Sequence, residues 1–312
     1  MPELEGLRGV SQVSWGARVV LEGARGLLDA RTAESRTLET RFPAASVGKQ
    51  FVAASMMLLC ERGALGLDDP VERWWPRAPG EWEAMSVAHV LAHTSGLPHW
   101  PDLLGLDILD PPAAEEVLDQ AATLPLLSPP GERWAYSLVG YLLAAAIVEA
   151  ASGEPYAAFV AENVFGPLGM ASTSSGVAPA TGEAASGHRD GERLPPVTGL
   201  TALPGTGDIW TTAGDLVRYA DGLLAGELLS AASLALMTQP DAETGGDVAY
   251  GYGIFIGPIA GRPALYHPGD NPGFRSLLAW LPGTGTTIAV LANDESVDLE
   301  ESASHLISAA LT

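Results

Sequence analysis

Short apolar segments with strand patterns lie at both ends of the chain, and a helical middle part separates them. Near the C-terminus, four such segments alternate with glycine and proline turns: 252–256, 263–267, 275–281 and 286–291. A closing helix is predicted over 295–311. Near the N-terminus, segments 12–21 and 26–30 are rich in Val and Leu, which predicts a β-hairpin. Strands from both ends favour one discontinuous domain built around a shared sheet.

The middle part of the chain, from about residue 66 to 245, has the pattern of helices and loops with frequent proline and glycine. An apolar helix is predicted over 138–151, and an amphipathic helix begins near 211 and runs through Leu224. The sequence therefore predicts an α/β (α+β) fold. Residues 1–65 and 246–312 form its sheet domain, residues 66–245 form an inserted helical domain, and the active site lies between the two.

Composition excludes several classes of partner. The chain has 312 residues, 47% of them hydrophobic, which is enough to bury a core. The formal net charge of −22 argues against nucleic-acid binding, because nucleic acids are bound by basic patches. It also argues against electrostatic attachment to anionic lipid. Cys60 is the single cysteine, so no disulfide within the chain is expected.

The N-terminal segment has no pattern of a secretion signal. Residues 1–8 lack both the basic and the apolar region of a signal peptide. The longest apolar run, 138–148, is shorter than the roughly 20 residues that span a bilayer. We therefore expect a cytoplasmic protein without a membrane partner.

Lys49 is the only lysine in the chain and follows Ser46 by three residues, at the start of a helix predicted over 46–62. An arginine stays protonated at any working pH, whereas a lysine can lose its proton when it is buried. A neutral amine beside a hydroxyl is a base beside a nucleophile. The alternative is that Lys49 is a lysine with no special role, and a Ser-x-x-Lys pair alone leaves both interpretations open.

Further motifs accompany this pair in a fixed order. The two most informative are 134–138 (WAYSL) and 266–273 (YHPGDNPG), and supporting matches are LDDPV at 67–71, LAHTSGLP at 91–98, GPLGM at 166–170 and YGYG at 250–253. Together they resemble the serine β-lactamase and penicillin-binding-protein superfamily over roughly residues 40–295. The resemblance is strongest to the branch that holds class C β-lactamases, DD-peptidases, D-aminopeptidases and family VIII esterases.

The resemblance implies a fold and a set of roles. The fold is an antiparallel sheet flanked by helices, with the helical insert beside it. Ser46 is the nucleophile that becomes acylated, and Lys49 and Tyr136 share the proton transfers, with the pKa of Tyr136 lowered by Lys49. The backbone N–H groups of Ser46 and Asp270 form the oxyanion hole. Gly269 lets an edge strand approach the substrate closely.

Two departures from the family pattern bear on the substrate. Leu138 stands where the family usually has an asparagine that holds the substrate amide, and His267-Pro268-Gly269 stands where it often has Lys-Thr-Gly. Pro268 has neither a hydroxyl nor an N–H, and His267 is mostly neutral near pH 7. These changes weaken recognition of amides and carboxylates and favour an ester. Arg275 either supplies the missing positive charge or is a solvated strand residue.

Other aromatic and histidine residues near these motifs have alternative interpretations. Trp100 and Trp134 either wall an apolar acyl pocket or belong to the buried core. His89 and His93 are four residues apart, but the segment between them lacks the Glu of a zinc protease, so no metal site is expected. We expect His93 to order the turn at 94–96 through hydrogen bonds. No nucleotide motif accompanies the loop glycines, and no cofactor is predicted.

The sequence therefore predicts a serine hydrolase that forms an acyl-Ser46 intermediate. An esterase of small or medium acyl esters is favoured, and weak β-lactam turnover stays open. The alternatives are a D-amino-acid amidase or DD-carboxypeptidase, a true β-lactamase, and a non-catalytic binding scaffold of the same fold. The expected partner is a small ester, amide or β-lactam. The sequence does not specify an oligomeric state.

Overall fold

Segments from both ends of the chain meet in one large sheet. The computed structural model describes residues 8–29, 31–32, 34–99, 110–176, 178–180, 183–197, 199 and 202–311. Within these residues the sheet has eight antiparallel strands, in the spatial order Ala242–Gly245, Val248–Tyr250, Phe255–Ile259, Arg262–Asn271, Phe274–Leu281, Thr286–Ala292, Gly9–Trp15 and Arg18–Arg25. The predicted fold class, an antiparallel sheet formed from both termini, is confirmed.

Helices cover both faces of this sheet. The central strand Thr286–Ala292 is buried along its whole length, and its side chains alternate between two separate hydrophobic clusters. Ala289 and Leu291 pack with the helix Ala213–Leu224, whereas Ile288 and Val290 pack with the helix Leu299–Leu311. An apolar strand of this kind is stable only when both faces are covered.

The helix Ala213–Leu224 is joined to the sheet by hydrogen bonds as well as by packing. Buried Ser14 and Thr287, on neighbouring strands, each donate to the Asp221 carboxylate at 2.6 Å. This helix and the strand Ala242–Gly245 fall within the range assigned to the helical insert, but both belong structurally to the sheet. The two-domain division stays a prediction, and these contacts favour an insert that ends before residue 213.

The other helices and helical turns of the fold pack around Lys49–Glu61, the helix that follows Ser46. They are Val71–Arg73, Gly80–Trp82, Val87–Leu91, Ala114–Ala121, Leu138–Ser152, Tyr156–Val160, Ala161–Phe165 and Ala231–Met237. The predicted apolar helix, Leu138–Ser152, begins where the Ser137 hydroxyl accepts from Gly140 N and ends at Gly153, which is left-handed. It packs directly on Lys49–Glu61, and most of its residues are buried.

Within the described residues, no single helix has the length and apolar composition needed to cross a membrane. One bent pair of helices, Leu138–Ser152 and Tyr156–Phe165 with 79° between them, meets those two criteria when taken together.

Smaller sheets complete the fold, and one of them corrects the predicted N-terminal hairpin. They pair Phe42–Pro43 and Ser174–Ser175 with Ile209–Thr211, His188–Arg189 with Glu192–Arg193, and Leu27–Asp29 with Glu34–Ser35. The hairpin predicted from 12–21 and 26–30 is wrong in its pairing. The turn lies inside the first segment, where Gly9–Trp15 pairs with Arg18–Arg25. Gly16 and Ala17 form this turn, and both have the positive φ (54° and 64°) that a two-residue hairpin turn requires.

The strand Arg262–Asn271 approaches the segment before Ser46 closely. Its pairing with Phe255–Ile259 ends at Tyr266, so the predicted edge strand is internal over its first half and open on that side only from residue 267 onward. Ser276, on the next strand, donates to the Ala44 carbonyl at 2.6 Å. A Cβ on Gly269 would lie 2.6 Å from the same carbonyl oxygen and would overlap Ser276 Oγ. Only glycine allows this approach.

We therefore predict that Gly269→Ala separates the strand from the Ala44–Ser46 segment. The added methyl must displace backbone, and such overpacking costs about 1–3 kcal/mol of unfolding free energy. The matched control is Gly283→Ala, because a Cβ there meets no atom within 4 Å. Chemical denaturation should show the loss for Gly269→Ala alone, and equal stability of the two variants would contradict the close approach.

Candidate active site

Ser46 lies in a tight helical turn, Ala45–Gly48, that continues directly into the helix Lys49–Glu61. Ala45, the residue immediately before it, has φ of +48° although it is not glycine. That conformation costs an L-residue roughly 1–2 kcal/mol and is retained where the surrounding structure enforces it. Ser46 itself is half-buried and faces a cavity, so its hydroxyl is reachable from that cavity.

Lys49 lies completely buried beneath Ser46. Its Nζ is 3.2 Å from Ser46 Oγ, and the side chain has no exposed surface. Burial disfavours the ammonium form and lowers the pKa of Lys49 to about 7, while the negative charge of Asp208 partly opposes this shift. Burial therefore favours the neutral amine near neutral pH, and a neutral amine at this distance can accept the Ser46 proton.

Asp208 is a functional candidate that the sequence analysis missed. Its carboxylate is 1% exposed and accepts hydrogen bonds from Gly205 N at 2.8 Å and from Ser175 Oγ at 2.5 Å. Burial raises the pKa of Asp208 to about 6, against the lowering effect of these bonds and of Lys49. The sequence showed this segment only as loop glycines, since nothing in the chain order places it near residue 49.

Tyr136 is the second group in contact with the serine. Its hydroxyl donates to Ser46 Oγ at 2.8 Å, and Lys49 Nζ lies 5.0 Å from the centre of its ring. Burial raises the pKa of Tyr136 well above its ordinary value, although the hydrogen bond to Ser46 opposes the shift. The predicted lowering of this pKa by Lys49 is wrong, because desolvation of the phenolate outweighs other effects. The Tyr136 hydroxyl can therefore donate a proton, whereas the neutral form of Lys49 can accept one.

His93 positions the segment that carries Tyr136. It is buried with φ of +58°, its Nδ1 accepts from Ser137 N at 3.2 Å, and its carbonyl accepts from Ala135 N at 2.8 Å. Its ring lies 4.5 Å from the ring of Tyr136. The prediction that His93 orders the turn at 94–96 is wrong, since its ring and its carbonyl accept from Ser137 N and Ala135 N, and its own N–H donates to the Val90 carbonyl. Burial and the nearby Lys49 hold its pKa well below the usual value, so it stays neutral.

His267 is fixed on both sides in a neutral form. One ring nitrogen, Nε2, lies 3.1 Å from the Tyr250 hydroxyl, and Nδ1 lies 2.7 Å from the Pro268 carbonyl, to which it can only donate. Burial, with a smaller contribution from Lys49, lowers the pKa of His267 to about 3. His267 therefore provides no positive charge for a substrate carboxylate.

A cavity of about 480 Å³ opens beside Ser46. The predicted substrate-binding residues that line it are Leu138, His267, Gly269 and Arg275, and further apolar wall comes from Phe255, Pro268 and Leu299. Trp134 is not among the lining residues, and its ring lies 6.4 Å from the rings of Tyr136 and Phe255, which favours the packing interpretation. Its contact with substrate stays a prediction. Trp100 lies outside the described residues.

Arg275 and Asp270 form an ion pair at the wall of this cavity. They are opposite each other on adjacent strands, and Arg275 Nη1 bonds to Asp270 Oδ1. The charge of Arg275 is thus already matched by a carboxylate. The backbone of Asp270 lies on the open edge of its strand and lines the same cavity as Ser46, as an oxyanion hole requires. That role of Ser46 and Asp270 stays a prediction.

The histidines considered for metal binding are engaged elsewhere. Nδ1 of His89 accepts from Ser86 N at 3.2 Å and completes the N-terminal cap of the helix Val87–Leu91. Among the residues that the structure describes, no group of three or more potential ligands is arranged to hold a metal ion.

Comparisons with known proteins agree with this geometry. A family model described as Beta-lactamase matches residues 5–311. Penicillin-binding protein 4* of Bacillus subtilis (strain 168) is 31% identical over 85% of this chain and 64% of its own length. Esterase EstB of Burkholderia gladioli is 37% identical over 52% of this chain and 45% of its own length. The chain thus spans less than two thirds of either relative.

A solved structure extends the similarity over almost the whole chain. The D-amino acid amidase from Ochrobactrum anthropi SV3, complexed with L-phenylalanine amide, superimposes with a TM-score of 0.84 at 25% identity. The superposition covers 98% of this chain and 94% of the amidase. The arrangement of sheet and helices around Ser46 is therefore shared with an enzyme of known fold.

The electrostatic coupling between buried Lys49 and buried Asp208 predicts a specific pH dependence. Phosphonylation of Ser46 by a fluorophosphonate should fall about tenfold per pH unit below pH 7, because Lys49 becomes protonated through its pKa of about 7. Asp208→Asn removes a charge that raises this pKa, so the acid limb should move to lower pH. The rate is followed by mass spectrometry of the intact protein.

The control is Asp215→Asn, which alters a buried carboxylate whose partners are Ser172, Thr173 and Arg218. Its acid limb should coincide with that of the unsubstituted protein. A limb that stays in place in Asp208→Asn, or moves to higher pH, would contradict the coupling between Asp208 and Lys49.

Proposed function

The chain belongs to the beta-lactamase family of serine hydrolases, and from that premise we propose that it is a carboxylesterase. Its substrates are esters of small or medium acyl groups, and the reaction passes through an acyl-Ser46 intermediate. The observation that carries this proposal is the apolar wall beside Ser46, where Leu138 and Pro268 face the cavity.

Neither side chain can form the hydrogen bonds that an amide or a carboxylate substrate needs. Leu138 is the first residue of the helix Leu138–Ser152 and offers only a hydrocarbon side chain to the cavity. Pro268 has no N–H and no hydroxyl. A polar substrate group buried against these residues would lose its contacts with water without replacement. An ester with a hydrocarbon acyl chain carries no such penalty and gains from the burial of apolar surface.

The charges at the cavity support the same conclusion. Arg275 is the arginine among the described residues that line it, and it is paired with Asp270, whose side chain is 73% exposed. His267 is held neutral by burial. A free carboxylate would compete with Asp270 for Arg275, whereas a neutral ester meets no such competition.

The acylation step follows from the contacts of Ser46. The neutral Lys49 amine accepts the Ser46 proton as Oγ attacks the ester carbonyl carbon, and the backbone N–H groups of Ser46 and Asp270 stabilise the oxyanion that forms. Removal of one such donor typically costs about 10²–10³ in rate. Because the Lys49 amine lies 3.2 Å from the Ser46 hydroxyl, the proton passes directly between the two groups and not through solvent.

Tyr136 completes the proton transfers. Because its hydroxyl stays protonated and points at Ser46 Oγ, it donates a proton to the leaving alcohol oxygen as the carbon–oxygen bond breaks. The Lys49 ammonium then restores the Tyr136 proton, which leaves an acyl-Ser46 and a neutral amine. Deacylation runs the same transfers in reverse, with water in place of the alcohol.

The relatives support an ester or an amide as substrate. The one with the highest identity reported above is an esterase, whereas the structural neighbour is an amidase for D-amino acids. An amidase needs polar groups that hold the amine and amide of its substrate. The apolar wall at Leu138 and Pro268 therefore favours the esterase.

The test is turnover of p-nitrophenyl butyrate and of nitrocefin, a β-lactam, by the protein and by Ser46→Ala. Ester turnover should exceed β-lactam turnover, and both should vanish in Ser46→Ala because the nucleophile is gone. Leu138→Asn restores an amide-binding group and should raise the nitrocefin-to-butyrate ratio of kcat/KM by about tenfold. Absorbance of nitrophenolate and of opened nitrocefin gives both rates.

Ester hydrolysis that persists in Ser46→Ala would remove Ser46 from the reaction. Nitrocefin turnover faster than butyrate turnover in the unsubstituted protein would contradict the esterase proposal. It would instead identify a β-lactamase that binds its substrate without an amide-binding residue at position 138.

A further inference from the structure

Two hydrogen bonds hold the ring of His267 at the edge of the cavity. Nδ1 donates to the Pro268 carbonyl at 2.7 Å, so in the neutral ring Nε2 carries no proton and can only accept. The Tyr250 hydroxyl, 3.1 Å away, is the donor to Nε2. The Tyr141 hydroxyl lies in the same cluster and donates to the Leu91 carbonyl at 2.7 Å. Tyr250 is fully buried and is not among the described residues that line the cavity, so it acts on the site only through its neighbours.

The pairing of the strand shows which of its backbone groups face the open edge. Asn271 and Phe274 flank a two-residue turn and so form a hydrogen-bonded pair, and such pairs alternate along an antiparallel ladder. The backbone groups of Pro268 and Asp270 therefore point away from the next strand, toward the edge that is open from residue 267 onward. A proline fits there because its missing N–H faces no partner strand. The Pro268 carbonyl and the Asp270 N–H thus lie on one edge, two residues apart.

The Pro268 carbonyl would disturb an oxyanion hole if it were left free. It carries partial negative charge, and it lies on the edge where the Asp270 N–H is expected to stabilise a developing oxyanion. The His267 ring bonds to this carbonyl and fixes the plane of the peptide between residues 268 and 269. Gly269 joins that plane to the peptide that carries the Asp270 N–H, and glycine allows wider rotation than other residues. A restraint placed just before the glycine therefore limits how far the N–H can turn.

Tyr250 also connects the two walls of the site. Its ring lies 4.9 Å from the ring of His93, which holds the segment that carries Tyr136. It packs edge-to-face on Phe255, with 4.7 Å between the ring centres, at the point where the pairing of the open strand ends. Aromatic contacts on several sides leave the Tyr250 hydroxyl little freedom, so it defines the position of the His267 ring.

We propose that Tyr250 is a positioning residue for the oxyanion hole. Its hydroxyl fixes the His267 ring, the ring fixes the Pro268 carbonyl, and the open edge then directs the Asp270 N–H at the oxygen of the substrate carbonyl. The hydroxyl touches no reacting atom and acts only through His267. The proposal rests on the acyl transfer at Ser46 proposed above and adds a residue on which the stabilisation of its transition state depends.

The test uses butylboronic acid, which bonds to a serine hydroxyl and places a boronate oxygen where the oxyanion forms. Isothermal titration calorimetry should give a Kd about tenfold higher in Tyr250→Phe. This loss is smaller than the factor of about 10²–10³ for removal of a donor, because the N–H is displaced and not removed. The control is Tyr219→Phe, the same change at a fully buried tyrosine whose hydroxyl donates to the Gln50 carbonyl at 3.0 Å. Its Kd should equal that of the unsubstituted protein, and an unchanged Kd in folded Tyr250→Phe overturns the proposal.

A double-mutant cycle tests whether Tyr250 acts through His267. His267→Phe keeps a ring but removes both the N–H that bonds to Pro268 and the nitrogen that accepts from Tyr250. This variant should raise the Kd for butylboronic acid at least about tenfold, and Tyr250→Phe should then have no further effect. Losses that multiply in the double variant would overturn the series. If one single variant does not fold, the Kd of the other decides alone, and an unchanged value rejects the proposal.

Kinetics separate a displaced oxyanion donor from a general disturbance of the site. The paired substrates are p-nitrophenyl butyrate and its thiono analogue, in which sulfur replaces the carbonyl oxygen and accepts hydrogen bonds only weakly. Tyr250→Phe should lower kcat/KM about tenfold for the oxygen ester and about twofold at most for the thiono ester. Equal losses on the two esters would reject the positioning role and leave the esterase standing. Absence of ester turnover together with a Kd for butylboronic acid that depends on Tyr250 would reject the esterase and retain the role of Tyr250.

Discussion

The amine of Lys49 lies 3.2 Å from Ser46 Oγ with no exposed surface, and the chemistry of the site depends on that burial. An exposed lysine would be almost fully protonated at neutral pH and unable to accept a proton. Burial lowers its pKa to about 7, and the opposing charge of Asp208 keeps it from falling further. The desolvated amine is tolerated because the helix that carries it packs against a second buried helix, Leu138–Ser152, within one continuous core. Arginine could not serve there, since its guanidinium stays charged.

The fold supplies three fixed elements around this pair. A strained residue, Ala45, orients Ser46 at the start of its helix. The strand at Gly269 is unpaired on one edge from residue 267 onward, and that edge presents backbone groups to the cavity beside Ser46. The third element is the Tyr136 segment, held by His93 from within the core. Burial favours the neutral form of both groups, so it lowers the pKa of the Lys49 amine and raises the pKa of the Tyr136 phenol. In the proposed mechanism the base and the acid are therefore different residues. In the proposed esterase, the apolar wall at Leu138 favours hydrocarbon acyl groups.

The sequence predicted the residues of the site better than their electrostatics. The Ser-x-x-Lys pair, Tyr136 and the late strands follow from motifs and periodicity, and the structure brings them together. The raised pKa of Tyr136 was not predictable, because it depends on how closely the rings around it exclude water. Asp208 was missed as a member of the site for a related reason: only tertiary packing brings its charge close enough to affect Lys49. Trp134 is close to Tyr136 in sequence, which suggested a substrate contact, but it is not among the residues that line the cavity. The N-terminal hairpin was misplaced because Gly16 and Ala17 form a turn within an apolar run.

Direct titration of the Lys49 amine tests the central claim most closely, and the chain is suited to it because Lys49 is its only lysine. Protein grown with ¹³C-labelled lysine gives a single set of side-chain NMR signals, and the Cε shift reports protonation of Nζ as the pH is varied. A midpoint near pH 7 is the expected result, since the buried amine has a pKa of about 7. A midpoint near the ordinary lysine value of about 10.4 would show that Lys49 is charged at neutral pH and cannot be the base that activates Ser46.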